Sequence, residues 1–277
     1  LMATGQSSDA AEAARAAWGR GALSTEDESA LLAQFGGQFS PVDHDRRMDA
    51  LLWQGATTSA ARVLPLTSPQ MRDLFAARLA FRTNAPTASG WAYRPFPQGD
   101  ADAGYLADKA GWLKRNGATG IARNLLANRP TLTGRPGNVE KWYELLLETA
   151  KGAAAEGQYD LAWRIGARID DAYPPGTVVA DQSYGERDEY TNLAWFAGQA
   201  AMKKAGRPAD AIALFEAYSR GSRAPQVQAK GLYWAGRAAQ AAGRRDNANA
   251  YYSRVSSGYA DQFYGQLGAE RMGKALR

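Results

Sequence analysis

The sequence predicts an all-α chain, a superhelix (solenoid) of stacked helix-turn-helix pairs, curved or ring-shaped. Three observations predict it. First, two neighbouring copies of one signature stand near the C-terminus. One reads Trp195-Phe196-Ala197-Gly198, then Gly206, Ala211 and Phe215; the other reads Tyr233-Trp234-Ala235-Gly236, then Gly243, Ala248 and Tyr252. Each copy offers an aromatic-bearing helix, a glycine break, and a second helix with Ala-x-x-x-aromatic. That is the pattern of a tetratricopeptide-like repeat, whose units bury their apolar faces only by stacking.

Second, the break glycine works as a ruler upstream. Gly55, Gly117, Gly157, Gly206 and Gly243 are each followed five residues later by alanine, at Ala60, Ala122, Ala162, Ala211 and Ala248, and then by a large apolar residue. A left-handed glycine ends the first helix, the alanine admits a close neighbour, and the bulky residue fills the groove. Uneven intervals between these glycines point to an irregular superhelix rather than a tandem consensus array. Third, 277 residues at 45% hydrophobic and 22% charged suffice for a substantial core.

Taken in order, Glu28 is followed by Leu31, Leu32 and Phe35 at helical spacing. Ser40-Pro41 with Asp43 reads as a helix start, which makes His44 a solvated histidine of that first turn. Asn84 to Gly104 is rich in proline and glycine with Trp91, Tyr93 and Phe96 interleaved, and reads as a loop whose aromatics pack back onto the scaffold. Arg129 to Asn138 and Tyr173 to Glu189 are two further loops or segment boundaries. Between them Glu140, Glu144 and Glu148 repeat at i, i+4, i+8 opposite Trp142, Leu145 and Leu146, so the acidic stripe is the solvent side of an amphipathic helix. The expected organisation is an N-terminal helical segment over residues 1–105 and tetratricopeptide-like repeats over 106–277.

Composition removes many chemistries. The chain has no cysteine and a single histidine, so thiol nucleophiles, disulfides, cysteine zinc sites and histidine clusters are excluded. No G-x-G-x-x-G, P-loop or H-E-x-x-H is present, and neither cofactor nor metal is expected. No apolar run is long enough to span a bilayer. The net charge of +5 sits mainly on arginine, with doublets at Arg46-Arg47, Lys203-Lys204 and Arg244-Arg245. These are read as solvated faces, not a nucleic-acid site, although a mild positive field favours an acidic partner.

The C-terminal block resembles a family. The run Tyr190-Thr-Asn-Leu-Ala-Trp-Phe-Ala-Gly-Gln, the run Gly206-Arg-Pro-Ala-Asp-Ala-Ile-Ala-Leu-Phe215, Gly231-Leu-Tyr-Trp-Ala-Gly-Arg-Ala238 and Phe263-Tyr264-Gly265-Gln266-Leu267-Gly268-Ala269 resemble soluble lytic murein transglycosylases of the superhelical, doughnut-shaped type. Asp43 to Gly55 and Phe75 to Ala80 look like the N-terminal helices of the same family. The resemblance implies a periplasmic protein, exported by a signal this chain does not carry, whose helices form a ring-like scaffold ahead of a lysozyme-like catalytic domain. It implies cleavage of the peptidoglycan glycan strand, with one glutamate acting as acid and then base while the sugar's 6-hydroxyl closes a 1,6-anhydro ring. The family's Glu-Ser motif follows the Tyr-Gly-Gln-Leu segment, and this chain reaches Arg277 without it. Glu28-Ser29 lies at the opposite end and takes no catalytic role from the resemblance.

The expected function is therefore a non-catalytic scaffold that positions that domain and binds glycan strands or their stem peptides. Tyr264 and Gln266 are the candidate docking edge for the catalytic domain, with an ordinary last-helix packing motif as the alternative. Two other readings stay open: a free-standing tetratricopeptide-like adaptor for a protein partner, and a self-sufficient helical glycosidase using carboxylates such as Glu144 or Glu148.

Overall fold

The structure, a computed structural model, describes residues 2–273, with side chains from residue 7 onward; Leu1 and residues 274–277, and with them both chain ends, lie outside the described residues. Among the described residues there are sixteen α-helices and no strand. The helices fall into two compact units, Leu1–Ala122 with Pro136–Asn138, and Arg123–Arg135 with Val139–Arg277. None of the described helices is long and apolar enough to cross a membrane.

The first unit holds α1 (Met2–Gly19), α2 (Thr25–Phe35), α3 (Pro41–Gln54), α4 (Thr57–Val63), α5 (Pro69–Thr83), α6 (Ala88–Tyr93), α7 (Pro97–Asp100) and α8 (Ala103–Arg115). Helix α3 packs on α1, α4 and α5, and α5 packs on α8. Trp18, Met48, Leu51, Leu52, Phe81 and Tyr105 are fully buried between them. Helix α3 starts where Ser40-Pro41 places it: Ser40 Oγ accepts from the Asp43 N–H, and Asp43 Oδ2 accepts from the Ser40 N–H at 2.8 Å, a complete capping box. Helix α9 (Thr119–Ala127) carries the division between the units.

The second unit holds α10 (Val139–Ala155), α11 (Tyr159–Gly166), α12 (Tyr184–Gln199), α13 (Pro208–Arg220), α14 (Pro225–Ala241), α15 (Arg245–Gly258) and α16 (Phe263–Arg271). From α10 onward each helix packs on its successor, with α12 also reaching back to α10 and α16 to α14. This nearest-neighbour stacking is the solenoid order that the repeats lead one to expect.

The five ruler glycines all have left-handed backbone, with φ between 65° and 79°. At four of them the residue after the glycine donates its N–H to the carbonyl four residues before it: Ala56 to Leu51, Ala118 to Leu113, Gln158 to Ala153 and Arg244 to Ala239. The same residue's carbonyl then accepts from the ruler alanine that opens the second helix, as Ala60 to Ala56 and Ala248 to Arg244 show. One short turn thus closes one helix and starts the next. All five alanines are at most 2% exposed. The pair α12–α13 departs from the rest: Ala200–Lys204 form a π-helical turn, so Arg207 donates to Ala201, one residue further back.

The packing gives the signature its physical meaning. A Cβ on Gly198 would stand 2.8 Å from the Phe215 ring, and one on Gly236 2.7 Å from the Tyr252 ring. The glycine of each Ala-Gly pair is therefore the hole, and the aromatic of Ala-x-x-x-aromatic is the knob. At the last helix Gly265 seats against the Tyr259 carbonyl and Gly268 against Val255.

Four sequence expectations need correction. His44 is not solvated; it lies under Trp18 and Phe39 at 7% exposure, because α1 covers the first turn of α3. Arg47 is not on a solvated face either. It is fully buried, its two terminal guanidinium nitrogens donating to Glu28 and to the carbonyls of Trp18 and Gly21, while its Nε is left without an acceptor. The stretch Asn84 to Gly104 contains α6 and α7, although its aromatics do pack back, Phe96 lying 5.4 Å from Tyr105. The stretch Tyr173 to Glu189 is irregular only to Ser183, whose hydroxyl caps α12.

Candidate functional site

The strongest concentration of unusual chemistry lies on α12, the π-helical turn and α14. Trp195 on α12 meets Trp234 on α14 edge to face, ring centroids 5.9 Å apart. Phe215 sits behind both, 5.4 Å from Trp195 and 6.0 Å from Trp234, held in place by the Gly198 hole. Both indoles are partly exposed, so the apolar core reaches the surface here as a two-ring ledge.

Three cations close over that ledge. Lys230 Nζ lies 3.7 Å from the Trp195 centroid, Lys203 Nζ 4.7 Å from that of Trp234, and the Arg237 guanidinium 5.6 Å from the latter. Lys230, Trp234 and Arg237 stand at i, i+4 and i+7 of α14 and share one face. The π turn contributes Lys203; such single turns recur at functional sites. Each cation–ring contact is worth about 0.5–2 kcal/mol, depending on desolvation. Burial holds the Lys230 ammonium below the usual lysine range.

The electrostatics are one-sided. Nearby surface arginines are paired, Arg207 with Asp210 at 2.8 Å and Arg220 with Asp170 at 2.9 Å. Among the described residues, Lys203, Lys230 and Arg237 have no carboxylate within 4.0 Å. Trp234 Nε1 and Gln199 Nε2 are also buried without an acceptor. The unmatched groups on this ledge are hydrogen-bond donors, and a buried unmatched donor costs about 1–3 kcal/mol. The three cations, unlike the two buried donors, are open to pairing with an anionic ligand.

The residues singled out in the sequence are dispersed. Tyr264 is half-buried on α16 and joins the same aromatic cluster, 5.4 Å from Tyr233, whereas Gln266 is exposed. Phe263 beside them is 66% exposed. Glu28 is a structural residue of the first unit, with Arg47 at 2.8 Å and Arg62 at 3.0 Å. Burial pushes its carboxyl up, but the hydrogen bonds from Arg62 and Arg47 outweigh that and hold it below the usual range. Glu140, Glu144 and Glu148 face solvent. Burial and then the neighbouring Glu144 and Asp188 push the Glu189 carboxyl up, so α10 and α12 share an acidic ridge.

A second feature of the same unit is a cleft of about 840 Å³ under the Tyr173–Gln182 segment, walled by Leu132, Pro174, Val178 and Gln228. Its charges are already neutralised, Asp170 by Arg220 and Asp181 by Arg223. Lys203 stands out in the sequence through its doublet with Lys204, whereas Lys230 and Arg237 are isolated charges that form no basic run. The signal was the i, i+4, i+7 spacing around Trp234.

No family model matches the chain, nor does any curated protein or solved structure.

Proposed function

We propose that this chain is the non-catalytic helical scaffold of a lytic transglycosylase, and that it holds peptidoglycan on the Trp195–Trp234 ledge while a separate catalytic domain cleaves the glycan strand with 1,6-anhydromuramic acid formation. The observation that carries the reading is the set of three cations with no carboxylate within 4.0 Å among the described residues, over two partly exposed indoles. Such a surface suits a polymer that combines apolar faces with carboxylates. The resemblance of residues 190–273 to the superhelical family supports it. Under this reading Tyr264 and the exposed Gln266, with the exposed Phe263 beside them, lie at the edge where the catalytic domain docks, and the protein works in the periplasm.

Incubation of the purified chain with sacculi tests the proposal. Retention in the pellet with no 1,6-anhydro-muropeptide in the supernatant is the expected result. Release of anhydro-muropeptides, or no retention, overturns it. The cationic ledge also fits an acidic protein segment, the adaptor reading; recovery of one stoichiometric protein partner, with no affinity for sacculi, would establish that instead.

A further inference from the structure

We propose that the ledge recognises the carboxylates of murein stem peptides and not the sugar rings; this rests on the reading above that the chain binds murein. A sugar stacks on an open aromatic face. Here Lys230 covers Trp195 at 3.7 Å, while Lys203 and Arg237 cover Trp234 at 4.7 and 5.6 Å. Phe215, Tyr218 and Tyr233 also lie against the two indoles and narrow what remains open. A pyranose would have to displace the cations, whereas a carboxylate pairs with them where they are.

Donor geometry points the same way. Lys230 and Arg237 are seven residues apart on α14, an axial separation of about 10.5 Å at 1.5 Å per residue. An extended peptide spans that distance in about three residues. Two carboxylates on one stem can therefore engage both cations while the chain between them passes over the partly exposed face of Trp234. Lys230, already partly desolvated, gains most from a carboxylate, since charge-assisted hydrogen bonds are about twice as strong as neutral ones. Arg237 offers a planar fork suited to bidentate pairing.

The test compares three soluble competitors for binding to intact sacculi: free stem tetrapeptides, glycan strands stripped of peptide, and an oligo-glutamate of matching charge. Wild type and Lys230→Gln, which removes the charge while keeping part of the alkyl stem over Trp195, are measured in parallel, with thermal melts to confirm the fold. Expected are displacement by stem peptide and not by stripped glycan, quenching of tryptophan fluorescence by stem peptide, and about a tenfold loss of affinity in Lys230→Gln. Sacculus binding displaced by stripped glycan and unchanged in Lys230→Gln overturns the inference and leaves the murein reading intact. Oligo-glutamate outcompeting the stem overturns it in favour of a protein ligand. No retention on sacculi, with no response to stems, removes both.

Discussion

Trp18 donates its indole N–H to His44 Nδ1 across 3.2 Å, and the Arg47 guanidinium stacks over the same indole at 4.1 Å. The single histidine is thus an acceptor in a buried cluster, which requires its neutral form with the proton on Nε2. Protonation would set two donors against each other beside a buried guanidinium.

A pH dependence follows. Burial depresses the His44 imidazole, against a smaller opposing effect of Asp43 and Asp45. The unfolded chain, with histidine near 6.5, takes up the proton first. The stabilisation is therefore complete above about pH 7 and is lost as pH falls through the unfolded value. Urea unfolding at pH 7.5 and 5.5 should show this loss, and His44→Asn, which keeps an acceptor for Trp18, should flatten it.

The hole-and-knob pairs give a second expectation. Gly236→Ala places a methyl 2.7 Å from the Tyr252 ring and should cost about 1–3 kcal/mol. Gly134→Ala, with no atom within 4 Å of the new Cβ, should cost under about 0.5 kcal/mol. Paired denaturation curves check both, and Tyr252→Leu should recover part of the Gly236→Ala loss.

Glu28 distinguishes buried from exposed pairing. Glu28→Gln leaves the fully buried Arg47 without a carboxylate and should cost about 3–5 kcal/mol. Arg62→Gln removes a partner that is 47% exposed and should cost under about 1 kcal/mol. Equal effects in urea titrations would contradict the assignment of Arg47 as the partner that needs Glu28.

Much of the helix-pair architecture was legible because a left-handed glycine and a close-packed alanine are local demands. Gly55 and Ala60, or Gly243 and Ala248, state them within six residues. The burial of His44 and Arg47 was not legible, since it depends on Trp18 and Glu28, helices away in sequence. Local chemistry placed His44 correctly in a capped first turn; what lay across from that turn was a tertiary fact. The ledge fell between these cases. Lys230, Trp234 and Arg237 share a helical face by spacing alone, but the arrival of Lys203 depends on the π turn, which inserts one residue that no rule of spacing foretells.

Helix pairing has its own test in the turn. Gly243→Ala forces an alanine to φ near 76° and should destabilise by about 1 kcal/mol, although the new methyl would touch nothing within 4 Å. A neutral result by thermal melting would mean the turn is not held as described.

The most direct measurement is a co-sedimentation isotherm on purified sacculi for wild type and a Lys203→Gln, Lys230→Gln, Arg237→Gln triple variant of matched melting temperature. The account requires saturable, salt-sensitive retention of wild type and its loss in the triple variant. Equal retention of the two proteins would contradict the assignment of murein binding to the Trp195–Trp234 ledge.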